Sequence, residues 1–166
     1  MKNPCKRAAC ALSLLALGGC GGGGPQAVKV VQGNGYSFSA PADWAVVRTA
    51  RSVQASKGLQ LVSVTRYPLL RRFRPELWGN VVPELDRAAS ELAQQQNGKV
   101  RNAETVTIAG RRARRYDIDY VHDGKQLVER LAFVLREKTE YLLLCRYEDG
   151  GSTDACDRLL ATFTLD

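Results

Sequence analysis

The chain contains one histidine, His122, and few side chains whose types and spacing could do covalent chemistry. No Gly-x-Ser-x-Gly, His-Glu-x-x-His or phosphate-loop motif occurs. His122 precedes the hairpin-turn signal Asp123-Gly124, which indicates a solvated turn residue. Asp117 and Asp119 share a face of a predicted strand and could hold a cation or do acid–base work. Pairing with arginines such as Arg130 is favoured instead, so the sequence predicts no enzyme, no metal site and no cofactor.

Two arginine clusters are the most prominent charged features. Arginine suits bidentate contact with carboxylates and phosphates, so the clusters predict a patch for an acidic partner protein or for anionic lipid head groups. A solvated loop and a charged sheet edge that discourages aggregation are the alternative interpretation. The members are Arg71, Arg72 and Arg74 in the first cluster and Arg111, Arg112, Arg114 and Arg115 in the second.

Large apolar residues interrupt the first arginine cluster. Leu69, Leu70, Phe73 and Trp78 lie in a segment that also contains prolines and shows no clear periodicity. Such residues could line a groove for a partner or a ligand. They could equally fold back onto the core, and the sequence leaves both possibilities open.

The first residues have the layout of a secretory signal. Lys2, Lys6 and Arg7 form a basic start, residues 8–17 are uncharged and mostly apolar, and two glycines follow. The apolar run is too short to span a bilayer, which needs about 20 residues. This pattern predicts export from the cytoplasm.

The end of this segment, Leu17-Gly18-Gly19-Cys20, resembles the bacterial lipobox. The resemblance implies cleavage before Cys20 and a lipid anchor on that residue, with acyl chains such as palmitate. An ordinary signal peptide with a chance cysteine is the alternative. The resemblance therefore predicts a lipid-anchored protein of the cell envelope. In a Gram-negative cell it would lie on the periplasmic face of the outer membrane, and otherwise on the outer face of the cell membrane. Gly21, which is not the aspartate associated with inner-membrane retention, weakly favours the outer membrane.

Charge and length change when the predicted signal is removed. The mature chain has 147 residues, enough for one domain with a core. Three of the 24 basic residues leave with the signal, so 21 basic and 17 acidic residues remain, a formal charge of +4. That charge and the predicted export argue against nucleic acid as a partner.

Two cysteines, Cys145 and Cys156, remain available for pairing after Cys20 is lipidated. An exported pair with this short spacing predicts a disulfide. Two buried free thiols are the alternative, because both cysteines lie in apolar surroundings.

Periodicity gives one domain after a flexible tether. We divide the chain into a signal at residues 1–19, Cys20 with a glycine-rich tether at residues 20–34, and a domain at residues 35–166. Within this division the folded part is expected to start near Val28. Strands are predicted over residues 36–39, 44–47, 51–55, 59–67, 100–108, 113–121, 126–136 and 140–147. A helical turn is expected after Pro75, and a helix with Pro83 in its first turn and Asn97-Gly98 at its end. A final helix is capped by Ser152 or Thr153.

Residues 127–135 are apolar on both faces of their strand, which predicts layers on both sides of the sheet. The expected fold class is therefore α+β, a mainly antiparallel β-sheet flanked by helices on both faces. Three groups of residues carry a further resemblance: Tyr36-Ser37-Phe38 with Pro41 and Trp44, Ile108-Ala109-Gly110 with the alternating Tyr116, Ile118 and Tyr120, and the run from Tyr141 to Cys145 before a helix. With the order of elements, they resemble the PsbP-like family, which includes LpqN-type lipoproteins and Mog-type proteins. This resemblance implies an α-β-α sandwich used mainly as an accessory module.

Taken together, these features favour a non-enzymatic, membrane-tethered module that binds another envelope protein. The alternative is a carrier of a small or lipidic ligand in a pocket between helix and sheet. Neither the partner nor the oligomeric state follows from the sequence.

Overall fold

A computed structural model describes residues 26–166 of the chain. Cys20 and the predicted signal peptide lie outside the described residues. Within residues 26–166, no helix is both long enough and apolar enough to cross a bilayer.

The described chain forms ten strands and two α-helices. The strands are β1 Val28–Gly33, β2 Tyr36–Pro41, β3 Ala45–Arg48, β4 Ser52–Lys57, β5 Gln60–Pro68, β6 Lys99–Ile108, β7 Arg111–His122, β8 Lys125–Arg136, β9 Thr139–Glu148 and β10 Thr164–Leu165. The helices are α1 Trp78–Gln95 and α2 Asp154–Thr162, and a 3-10 turn, Pro75–Leu77, precedes α1.

Seven strands form the main sheet, in the order β3-β4-β5-β9-β8-β7-β6, and every neighbouring pair is antiparallel. A small second sheet has the order β1-β2-β10. The prediction of mainly antiparallel sheets with two helices is confirmed. The tight turns follow local chemistry, since Asp123 and Gly124 both adopt positive φ, at 50° and 74°.

The core consists of two clusters that use alternate residues of β8. Leu131 and Phe133 belong to the cluster that contains Leu85 and Ala89 of α1. The residues between and beside them belong to a larger cluster with α2 and the small sheet; they are Val128, Ala132 and Val134. Successive residues of β8 therefore contribute to different clusters, as expected for side chains that alternate along a strand.

A disulfide joins Cys145 of β9 to Cys156 of α2, with an S–S distance of 2.02 Å, as the spacing predicts. It lies in the larger core cluster, beside Leu159 of α2. The covalent link therefore fixes the second helix to the centre of the main sheet.

Two predicted boundaries were wrong. The tether was assigned to residues 20–34, but β1 lies inside that range and pairs with β2 along its whole length. The folded part therefore begins near Val28, because Val31 contributes to the core at 1% exposure. Helix α1 begins at Trp78 and not near Pro83, which lies inside the helix. The buried Trp78 ring favours this earlier start, although proline removes one backbone hydrogen bond.

Candidate functional site

One end of the main sheet collects most of the candidate residues. Strands β5 and β8 finish there at Pro68 and Arg136, whereas β7 and β9 begin there at Arg111 and Thr139. We call this the arginine end. The segment between β5 and α1 crosses this end, and we call residues 69–77 the crossing segment.

Backbone hydrogen bonds hold the crossing segment against the turn between β8 and β9. The Leu69 N–H donates to the Lys138 carbonyl at 2.9 Å, and the Phe73 N–H donates to the Glu137 carbonyl at 2.6 Å. A small cavity on its other side is lined by Phe73, Pro75, Trp78, Gly110, Arg111, Arg112 and Leu135. The two arginine clusters, separate in sequence, therefore meet at one end of the sheet.

The seven arginines of the two clusters are not equivalent. Arg114 pairs with Asp86 at 2.9 Å and Arg115 pairs with Glu104, so both are engaged and only partly exposed. Arg72 lies 3.5 Å from Glu137 in an exposed pair. Within residues 26–166, no ion pair engages the other four, which are exposed: Arg71, Arg74, Arg111 and Arg112. These four are the arginines available to an outside partner.

An apolar groove of about 640 Å³ lies between the crossing segment, α1 and the sheet. Its lining residues are Leu69, Leu70, Arg71, Arg72, Phe73, Leu77, Val81, Glu84, Leu85, Leu135 and Glu140. Leu70 is fully exposed, at 101% of its reference area. Trp78, also named from the sequence as a groove residue, is instead buried and packs edge-on against Phe73, with ring centres 6.5 Å apart. The groove is thus a mainly apolar trough with two arginines and two glutamates among its lining residues.

Glu140 is a groove residue that the sequence did not single out. It opposes Tyr67 across the β5–β9 pairing, and its carboxylate has no hydrogen-bond or ion-pair partner among the described side chains. Burial raises the pKa of the Glu140 carboxyl above its usual value. The signal was present in the sequence, because Glu140 shares a strand face with Leu142 and Leu144, where an apolar residue is expected.

The acidic residues on β7 are held in ion pairs. Arg130 Nε donates to Asp117 Oδ1 at 2.8 Å across the β7–β8 pair, as predicted. Asp119 lies 3.3 Å from Arg101. His122 is exposed and lies 3.6 Å from Asp123. These residues form no acid–base pair and, within the described part of the chain, no group of three or more ligand side chains is placed to hold a metal.

Glu129 is a second residue that the sequence did not single out. It is 3% exposed and accepts hydrogen bonds from Arg146 Nη2 at 2.7 Å and Gln96 Nε2 at 2.8 Å. Tyr120 also donates to it at 3.2 Å, and burial, with the nearby Glu129 charge, raises the pKa of Tyr120 to about 12. Both carboxylate oxygens of Glu129 therefore have hydrogen-bond partners within the fold. This network therefore anchors the end of α1 to the sheet.

The fold is similar to that of solved structures at low sequence identity. The solution structure of cyanobacterial PsbP from Synechocystis sp. PCC 6803 aligns with a TM-score of 0.61 at 15% identity, over 90% of this chain and 99% of that one. A Bacteroides thetaiotaomicron protein aligns with a TM-score of 0.56 at 13% identity, over 80% of this chain. This chain spans 45% of the length of that protein. These alignments show a PsbP-like fold and do not identify a function.

A more distant structure is LpqN of Mycobacterium tuberculosis, described as involved in cell envelope biogenesis. It aligns with a TM-score of 0.42 at 10% identity over 86% of each chain, which is too remote to support an argument about this protein. No protein-family model matches the sequence. No curated protein matches it either.

Proposed function

We propose that this protein is a non-enzymatic lipoprotein of the cell envelope, anchored through Cys20, that binds another envelope protein with its crossing segment. The groove carries the proposal. A trough of about 640 Å³ walled by leucines, with arginines at its rim and a fully exposed Leu70, is larger than an isolated surface dip and matches the size of binding clefts. Its chemistry is that of recognition and includes no arrangement for bond breaking.

The lipid anchor is supported by the sequence. A basic start, a ten-residue apolar run and Leu17-Gly18-Gly19-Cys20 occur in the order that export and lipidation require. The Cys145–Cys156 disulfide fits an oxidising compartment outside the cytoplasm. We therefore place the protein on a membrane of the envelope, with the folded domain outside the cytoplasm.

The same proposal includes the arrangement of layers. We propose a PsbP-like sandwich in which α1 covers one face of the main sheet and α2, with the small sheet, covers the other. The division of β8 side chains between the two core clusters supports it. The arginine end then lies next to the first turns of α1, which form one wall of the groove.

The anchor is tested by Cys20→Ser. The wild-type chain should partition with membranes and carry the added mass of acyl groups, whereas the variant should lose both. A variant that stays on membranes with an unchanged mass would show that Cys20 is not the anchor.

The binding role is tested by photocrosslinking in the living cell. A benzoylphenylalanine at Leu70 should give an adduct with one envelope protein, and the same label at Val121 should not. Val121 is a matched control, because it is 55% exposed, apolar and at the opposite end of the sheet. Adding Arg71→Glu and Arg74→Glu should remove the adduct. Equal adducts from both positions would contradict a specific surface.

A second candidate function is a carrier of a small or lipidic ligand. The groove favours it because α1, the crossing segment and β9 enclose it on several sides, and its walls are mainly apolar. Native mass spectrometry of the purified protein should then show a bound ligand that Leu85→Trp removes by filling the groove. A clean apo mass would count against the carrier.

A further inference from the structure

The described chain begins at the end of the sheet opposite the arginine end. The Ala42 N–H donates to the Ala27 carbonyl at 2.8 Å, and Val28 pairs with Pro41. Asp43, two residues after Pro41, contacts Lys57 at the β4–β5 turn, with 2.6 Å between Lys57 Nζ and Asp43 Oδ2. We call this the tether end, because the segment that leads back to Cys20 joins the domain there.

The two ends differ in how their charges are matched. At the tether end, three cations lie against carboxylates: Lys57 with Asp43, Arg101 with Asp149, and Lys125 with Glu148. Lys99 at this end is exposed and has no ion-pair partner among the described residues. At the arginine end, four arginines of the two clusters have no such partner among the described residues, and the exposed Arg48 and Arg51 extend the same end. The acidic residues of this end are Glu76, Glu137, Glu140 and Asp166. Glu84 of α1 also lines the groove, where it pairs with Arg87. The surplus positive charge is therefore concentrated opposite the tether.

Lengths decide how the domain can stand on a membrane. Strand β8 has 12 residues, so the two ends of the sheet are about 40 Å apart. From Cys20 to Val28 the chain can extend at most about 28 Å. The tether is therefore too short to hold the domain upright with its arginine end against the anchoring membrane.

From this placement we infer that the arginine end binds an acidic, apolar-faced segment of an envelope protein that stands away from the anchoring membrane. The inference rests on the proposed function. It specifies the chemical character of the partner and the side of the domain on which the partner lies. Apolar side chains of the segment cover the groove. Its carboxylates lie on the exposed guanidinium groups, those of Arg71 beside the groove and those of Arg111 and Arg112 beside the adjoining cavity. An amphipathic helix supplies this pattern at i, i+3, i+4 and i+7, and charge complementarity selects an acidic polar face.

The first test measures peptide binding to the full chain in phosphatidylcholine nanodiscs, with empty nanodiscs as the blank. The probes are an 18-residue amphipathic Leu/Glu peptide and a Leu/Lys peptide of the same pattern. We expect the Leu/Glu peptide to bind at least about tenfold more tightly. Arg71→Glu with Arg111→Glu should weaken it about tenfold, and Leu70→Ser should weaken it as well.

The matched control is Lys99→Glu, an exposed cation at the tether end of β6. It should leave the dissociation constant within about twofold. Equal binding of the Leu/Lys peptide, or an equal loss in Lys99→Glu, would overturn the inference. So would tighter binding to phosphatidylglycerol vesicles than to the Leu/Glu peptide, because that result would identify a membrane surface as the target.

The second test measures orientation. A fluorophore on Leu70→Cys or His122→Cys, in the full lipidated chain, is paired with an acceptor in the lipid head groups. Energy transfer should be stronger from position 122, at the tether end, than from position 70. The reverse order would overturn the inferred direction. A chain that does not associate with membranes would refute the proposed anchor and this direction together, while the peptide experiment would still decide the binding chemistry.

Discussion

Glu140 shows how a single residue in the groove can weaken the fold. Burial raises its pKa, so the folded chain holds the proton to higher pH than the unfolded chain does. The neutral form is therefore the one that the fold tolerates. The contribution of Glu140 to the free energy of unfolding is most favourable below the pKa that Glu140 has in the unfolded chain. It is lost as pH rises through the pKa of Glu140 in the folded chain. The raised pKa therefore predicts that the Glu140 carboxylate lowers the stability of the fold at neutral pH.

Glu140→Gln should stabilise the protein at pH 7, by up to about 1 kcal/mol. The gain should vanish below about pH 4, where Glu140 is protonated in both states. Denaturant unfolding of the wild-type and variant proteins at pH 7 and below about pH 4 measures this difference in stability. Glu91→Gln, an exposed carboxylate on α1, is the control and should change little at either pH. A loss of stability in Glu140→Gln would show that the carboxylate has a stabilising partner.

Asp117→Ala should destabilise the protein strongly. Asp117 is 6% exposed, and its removal leaves the guanidinium of Arg130 largely buried without its main partner. A loss of about 3 kcal/mol is expected. Asp43→Ala breaks an exposed pair with Lys57 and should cost less than about 1 kcal/mol. Similar midpoints for the two variants in urea unfolding would contradict this ranking.

At the scale of elements, the strands from β6 to β9 were predicted well because their signals are local. Asp123-Gly124 and the alternation along β7 determine turn and strand without reference to distant residues. Strands β1 and β10 were missed for the opposite reason. β10 has two residues and exists only because Thr164 and Leu165 pair with β2. The start of α1 was missed because the burial of Trp78 outweighs a local proline signal.

Removal of the disulfide tests the link between α2 and the main sheet. Cys145→Ala with Cys156→Ala should lower the free energy of unfolding by about 2–3 kcal/mol, the amount expected for a short closed loop. Reductant should destabilise the wild-type protein by a similar amount and leave the double variant unchanged. Hydrogen exchange in α2 should rise more than in α1. Uniform exchange across both helices would mean that packing alone holds α2.

For the whole molecule, the sequence predicted both arginine clusters but not that they meet. About 40 positions separate Arg71 from Arg111, and only the strand order places the crossing segment beside the β6–β7 turn. The net charge of the mature chain also concealed the asymmetry, because it averages a tether end whose cations are mostly paired with an arginine end whose cations are mostly unpaired. Likewise, Arg114 and Arg115 were grouped with the exposed arginines, although Asp86 and Glu104 engage them.

This asymmetry should be visible in ion exchange. Arg111→Glu and Lys99→Glu change the net charge equally and lie on the same hairpin, at opposite ends. Neighbouring unpaired cations add their potentials, so a cation-exchange surface should hold the protein by its arginine end. Arg111→Glu should therefore elute at lower salt than Lys99→Glu, with wild-type last. Elution of both variants at the same salt would mean that the column responds to net charge alone, and that the arginine end presents no concentrated positive field to an acidic partner.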